Sequence, residues 1–164
     1  MKLDTLPLIP PTIKIRFKNI LFATDLGAAS EQAKVYAALL SRFFGAHLYA
    51  LHVDVSQHIE DAAPDGDPLV KIGELKRFFQ GSGVPFTMLL EQGHVREALN
   101  RVADDHDIDL ILLRSHGRHG ASYLFMGSVS EDVSRSCTRP VITVGPKACP
   151  GFDKFSMFVY YSLR

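Results

Sequence analysis

Apolar runs alternate along this chain with segments of helical period. The first run, Ile20-Leu21-Phe22-Ala23, is apolar throughout and ends at Thr24-Asp25. Such a run suits a strand buried on both faces. Ser30 is placed to cap a helix whose face carries Ala33, Tyr36, Ala37, Leu40 and Phe44, and Gly45 is placed to stop it. A second strand is predicted over His47 to Val53. The acidic segment from Glu60 to Pro68 reads as a loop. A helix carrying Leu69, Ile72, Leu75 and Phe79 is expected to end at Gly81. A third strand spans about Pro85 to Leu90, and a third helix carries Val95, Ala98, Leu99, Val102 and Ala103. The strand Ile108 to Leu113 precedes a glycine-rich loop. A fourth helix carries Val129, Val133 and Cys137. Pro140 to Val144 is the fifth strand, with its proline where a missing donor costs least.

Strict alternation of strand and helix implies a parallel sheet with helices on both faces. Such sheets bind ligands beyond the C-terminal ends of their strands, where strand order reverses. Asp25 and the run from Ser115 to Ser128 both lie at such ends. They converge if strands one and four are neighbours. In that run Gly117 and Gly127 bracket nine residues, Ser128 opens a helix, and Glu131 completes a capping box. A glycine-rich loop ending at a helix N-terminus presents backbone N–H groups and a positive dipole end. It is an anion cradle, which makes a phosphate-bearing ligand the first functional hypothesis.

The 164 residues suffice for one domain with its own core, and 46% of them are apolar. The formal net charge is zero, which argues against a nucleic-acid partner. No apolar stretch approaches the roughly 20 residues that span a bilayer, so no membrane role is expected. The start, Met1-Lys2-Leu3-Asp4, lacks the layout of a signal peptide. Cys137 and Cys149 read as reduced thiols of a cytoplasmic protein. Residues 1–15, with Pro7, Pro10 and Pro11, read as an extended N-terminal arm. Residues 16–147 form the domain, and residues 148–164 a C-terminal tail rich in aromatics.

The chain resembles the universal stress protein family over about residues 17–147. The resemblance rests on Asn19 to Asp25, on Leu51-His52-Val53, and on Asp109 to Leu113 before the Gly117 loop. It rests also on Gly127-Ser128-Val129 and on Pro140 to Val144. It implies an α/β fold with a five-stranded parallel sheet in the order 3-2-1-4-5 and helices on both faces. This is the Rossmann-like fold of adenine nucleotide alpha hydrolases, usually dimeric. Members that bind ATP use the pattern Gly-x2-Gly-x9-Gly-Ser/Thr. Here Gly117 matches the second glycine, Gly127 the third and Ser128 the hydroxyl residue, with Val129 beside them at the helix start. In the family these meet the phosphates of ATP, bound with magnesium. Asp25 matches the acidic residue near the ribose. Val53 matches the residue whose backbone meets adenine, and Ala23 lies in the same pocket.

Arg114 stands where that pattern has its first glycine. Glycine there lets the backbone approach the ligand, whereas arginine adds a long side chain at the pocket wall. Two arrangements are open. The side chain swings into the site and blocks it, or it turns outward or meets a phosphate with its planar fork of donors. Asp25 has its own second role, as a cap of the turn that follows its strand. The tail pattern Met157 to Leu163 loosely echoes Ile20 to Leu26, and some family members carry two tandem domains. The tail therefore reads as the remnant of a second domain's first strand.

His116 and His119 sit in the loop with no third metal ligand nearby, and His52 reads as a hydrogen-bonded core histidine. The Asp65-Gly66-Asp67 loop lacks calcium-loop spacing. There is no Gly-x-Ser-x-Gly elbow and no P-loop, so binding is favoured over dedicated catalysis, with slow ATP hydrolysis as the upper limit. A phosphoacceptor receiver domain would want an Asp after strand three, where this chain has Leu90-Glu91-Gln92-Gly93. Strand five, Val141-Ile142-Thr143-Val144, would lie at the sheet edge and pair with a second copy as a homodimer. Two functions remain: a stress-response module that binds partners with its nucleotide site closed by Arg114, or an ATP-dependent switch.

Overall fold

The apolar runs become the strands of one sheet. The computed structural model describes residues 15–27, 30–55, 67–114, 133, 135–145 and 148, and the backbone of 157–160. Its strands are β1 (Asn19–Thr24), β2 (His47–Asp54), β3 (Phe86–Gln92), β4 (Leu110–Arg114), β5 (Val141–Val144) and β6 (Met157–Tyr160). Its helices are α1 (Ser30–Phe44), α2 (Pro68–Ser82) and α3 (Val95–Asp105). The sheet order is β3-β2-β1-β4-β5-β6. The first five strands run parallel, in the expected order 3-2-1-4-5.

Strand alternation sends successive side chains to opposite faces and so builds two cores. Ile20, Phe22, Leu110 and Leu112 pack with Ala33, Tyr36 and Ala37 of α1 and with Ile72, Leu75 and Phe79 of α2. Leu21, Leu51, Ile111 and Leu113 pack with Ala98, Leu99 and Val102 of α3 and with Val133 and Cys137. Val133 and Cys137, expected on one helix face, thus share the α3 side.

Helix ends follow local chemistry. Gly45 closes α1 at φ 64°, a left-handed conformation that glycine adopts without penalty. Asp67 caps α2, accepting from the Leu69 N–H at 2.9 Å, with Pro68 at the first helical position. The helix runs past Gly81, its expected stop. Gly83 takes the left-handed turn instead, at φ 70°, and its N–H bonds back to the Gln80 carbonyl. Pro68, assigned to the loop from the sequence, belongs to this helix.

One expectation about the sheet edge is corrected. β5 is not an edge strand, because β6 pairs with it antiparallel over its whole length, from Val141↔Tyr160 to Val144↔Met157. Apolar residues of the tail supply this sixth strand. The backbone donors and acceptors of β5 on that side meet a strand of the same chain. The N-terminal arm, residues 1–14, lies outside the described residues.

At the N-terminal ends of the strands a polar clamp ties the layers together. One carboxylate oxygen of Asp109 accepts from the backbone N–H of Lys18 at 2.6 Å and of Asn19 at 3.0 Å. The Asn19 side-chain amide donates to the carbonyls of His106 and Asp107. Arg139 donates to the carbonyls of Ala103 and Ile108 and pairs with Asp104 at 2.7 Å. A cation there also suits the C-terminus of α3.

Candidate functional site

β1 lies between β2 and β4, so the exits of strands one and four are neighbours, and Asp25 and Arg114 leave adjacent strands. The turn after β1 is built by its own side chains. Thr24 Oγ1 accepts from the Leu26 N–H at 3.0 Å. Asp25 Oδ1 accepts from the Gly27 N–H at 2.9 Å and from the Ser30 hydroxyl at 2.6 Å. Ser30 is therefore the first residue of α1 and a donor to Asp25, where the sequence suggested a capping acceptor. A Cβ at Gly27 would lie 3.0 Å from Asp25 Oδ1, so a larger residue there would push on the carboxylate that builds the turn. Leu26 holds φ 58°, a left-handed conformation costly for a branched side chain, within this network. One oxygen of Asp25 thus serves the cap role, and the ribose role would fall to the other.

Arg114 ends β4, level with Val144 of β5. Leu110 and Leu112 face α1 and α2, while Ile111 and Leu113 face α3. Alternation places Arg114 on the α1 side, the side of Val144. The residue is half-buried, and its Nε is shielded from solvent. Ala23, half-buried, and Val53, buried, contribute to the α3 side. The expected pocket-wall residues therefore divide between the two faces of the sheet at one crest.

His52 is half-buried between β1 and β2, with Nδ1 3.0 Å from the Thr24 carbonyl. A carbonyl only accepts, so Nδ1 carries the proton, in keeping with a hydrogen-bonded core histidine. Beside the turn, on the α1–α2 side, lies a cavity of about 210 Å³ lined by Thr24, Gly27, Ser30, Lys34 and Lys71 among others. Lys34 pairs with Glu31 and lies over the Phe78 ring at 4.8 Å. Gly117, Gly127, Ser128, Val129 and Glu131 lie outside the described residues, as do His116, His119 and the 56–66 segment. Among the described residues no group of three or more His, Cys, Asp or Glu could hold a metal ion. No helix among them is long and apolar enough to cross a membrane.

Thr24, Leu26 and Gly27 were missed as site-shaping residues. Their signal is the spacing Thr-Asp-x-Gly-x-x-Ser, in which each short polar side chain reaches a backbone or hydroxyl group a few residues on.

The fold is shared with known proteins. The model of the universal stress protein family matches residues 16–145. This chain belongs to that family. It is 30% identical to the universal stress protein Slr1230 of Synechocystis over 128 residues, which cover 76% of this chain and 42% of that one. The chain thus spans under half the length of that relative. Among solved structures, MJ0577 of Methanocaldococcus jannaschii superimposes with a TM-score of 0.69 at 23% identity, covering 82% of this chain and all of that one. A universal stress protein of Archaeoglobus fulgidus solved in complex with dAMP superimposes at 0.57 and 19% identity, covering 79% of this chain and 98% of that one. The two superpositions share the parallel sheet of the universal stress protein fold.

Proposed function

We propose that this chain is a stress-response module that acts by binding partners rather than by catalysis, with a nucleotide site remodelled at Arg114. Arg114 carries the reading: it occupies the first-glycine position of the ATP pattern, at the exit of β4 and next to β1. Half-buried with a shielded Nε, the side chain is part of the wall rather than a free arm in solvent. It adds bulk where the family's ATP pattern has a glycine. The sequence keeps residues that match the family's pattern for an adenine nucleotide with magnesium. Asp25 would take the ribose, Ala23 and Val53 the base, and Gly117, Gly127, Ser128 and Val129 the phosphates.

A second reading is favoured by one observation. Alternation turns Arg114 to the α1 side, away from Ala23 and Val53, which leaves the base-binding wall open for an ATP-dependent switch. The Archaeoglobus relative solved in complex with dAMP supports a nucleotide-binding reading of this chain. Calorimetric titration of ATP with magnesium into wild type and Arg114→Gly separates the two. The remodelled site predicts that the variant binds at least about ten-fold tighter, about 1.4 kcal/mol. Equal affinities would favour the switch.

A cytoplasmic location belongs to the same reading and is supported by Cys137, a free and buried thiol. So does a homodimer through Val141, Ile142, Thr143 and Val144, an arrangement that requires β6 to leave that edge.

A further inference from the structure

The cavity of about 210 Å³ beside the turn after β1 combines an apolar floor with a charged rim. Phe22, Leu26 and Leu75 are buried and supply the floor. Thr24 lines it too and is 9% exposed. Thr24 Oγ1 accepts from the Leu26 N–H, and the hydroxyl proton meets no acceptor among the described residues. A buried hydroxyl with an unused donor favours a ligand that brings an acceptor oxygen. The turn carrying Leu26 and Gly27 is fixed by its own hydrogen bonds, so this wall is formed before any ligand arrives.

Four charged residues line the same cavity, two of each sign. Lys34 and Glu31 pair with each other, and the Lys34 ammonium lies over the Phe78 ring. Lys71, half-buried, and Glu74, exposed, stand one turn apart on α2. Among the described residues neither makes an ion pair. The cavity therefore presents one unpaired cation, one unpaired anion, a hydroxyl donor and an apolar floor. Its volume is below the roughly 300–1,000 Å³ of sites for drug-sized ligands, which points to a smaller molecule.

We propose that this cavity binds a free α-amino acid with an apolar side chain. The ligand carboxylate meets the Lys71 ammonium and the Thr24 hydroxyl. Its ammonium meets the Glu74 carboxylate, and its side chain packs on Phe22, Leu26 and Leu75. A zwitterion matches both unpaired charges, whereas a simple anion would leave Glu74 opposing it. Strand alternation turns Phe22 and Thr24 toward α1 and α2, away from Ala23 and Val53 on the α3 side. The inference does not depend on the nucleotide reading.

Amide NMR titration of the full chain with L-leucine, isocaproate and isoamylamine tests it. Isocaproate is leucine without its ammonium, and isoamylamine is leucine without its carboxylate. L-leucine is expected to move the amides of Leu26, Gly27 and Lys71 while that of Val53 stays. Each analogue should bind at least about ten-fold more weakly, for want of one charge-assisted contact. Unmoved amides with L-leucine at millimolar concentration overturn the proposal, and so does an analogue that binds as tightly as L-leucine.

Two variants test the assigned charges. Lys71→Met and Glu74→Gln change side chains that reach solvent and are expected to fold like wild type. Each should weaken L-leucine about ten-fold, and Glu74→Gln should leave isocaproate binding unchanged. Wild-type affinity for L-leucine in either variant overturns the assignment.

Discussion

At the N-terminal ends of the strands, Asp109, Asn19 and Arg139 each bond to backbone groups of other segments. At the C-terminal ends, Asp25 serves its own turn with one oxygen, and Arg114 closes a strand beside it. In the first set Asp109 and Asn19 join segments about 90 residues apart in sequence, and Arg139 reaches carbonyls 31 and 36 residues away. The second is local and leaves polar atoms near a crest where ligands of parallel sheets bind. The difference separates residues that hold the fold from residues proposed to shape a site, although both sets are polar and half-buried.

Removing members of each set should break the molecule in different ways. Asp109→Ala strips the acceptor from two backbone N–H groups and is expected to cost about 2 kcal/mol. The check is a lower urea midpoint with an unchanged slope. Arg139→Ala loses two carbonyl contacts and an ion pair that is partly solvent-screened. The expected loss is about 1 kcal/mol by the same measurement. Wild-type midpoints for both variants would erase the base's structural role.

At the crest, Asp25→Ala removes a turn cap and should lower stability by about 1 kcal/mol. Asp25→Asn keeps an acceptor oxygen and should fold like wild type. In an Arg114→Gly background Asp25→Asn should nonetheless weaken ATP, because the charge-assisted bond to the ribose is lost. Unchanged ATP affinity in that double variant would leave Asp25 a cap alone. Arg114→Gly has the smallest expected effect on stability, below about 1 kcal/mol for a glycine at a strand end. A larger loss in thermal melts would make Arg114 a structural residue of the base type.

Much of this was legible in the sequence. The apolar runs of β1, β2, β4 and β5 are buried on both faces, so continuous hydrophobicity marked them. β3 was legible too, though none of its residues is fully buried and Leu90 and Gln92 are exposed. The clamp was not legible, since nothing local in Asn19, Asp109 or Arg139 announces partners brought close only by the sheet. The stop of α2 depended on which of two glycines, Gly81 or Gly83, turns left-handed, and local composition does not separate them. β6 was seen as an apolar tail in need of a partner. Its pairing with β5 depends on an edge that exists only once the sheet has formed. The alternation of β4, once its ends were known, was enough to place Arg114 on the α1 side.

In the proposed reading, Arg114 governs ligand access to the crest without supporting the fold. Amide NMR spectra of wild type and Arg114→Gly, each with ATP and magnesium added, test it residue by residue. In the variant the amides of Ala23, Asp25 and Val53 are expected to move while those of Asn19 and Asp109 stay. In wild type, at the same ligand concentration, the crest amides should stay as well. Wild-type crest amides that move as fully as the variant's would contradict it.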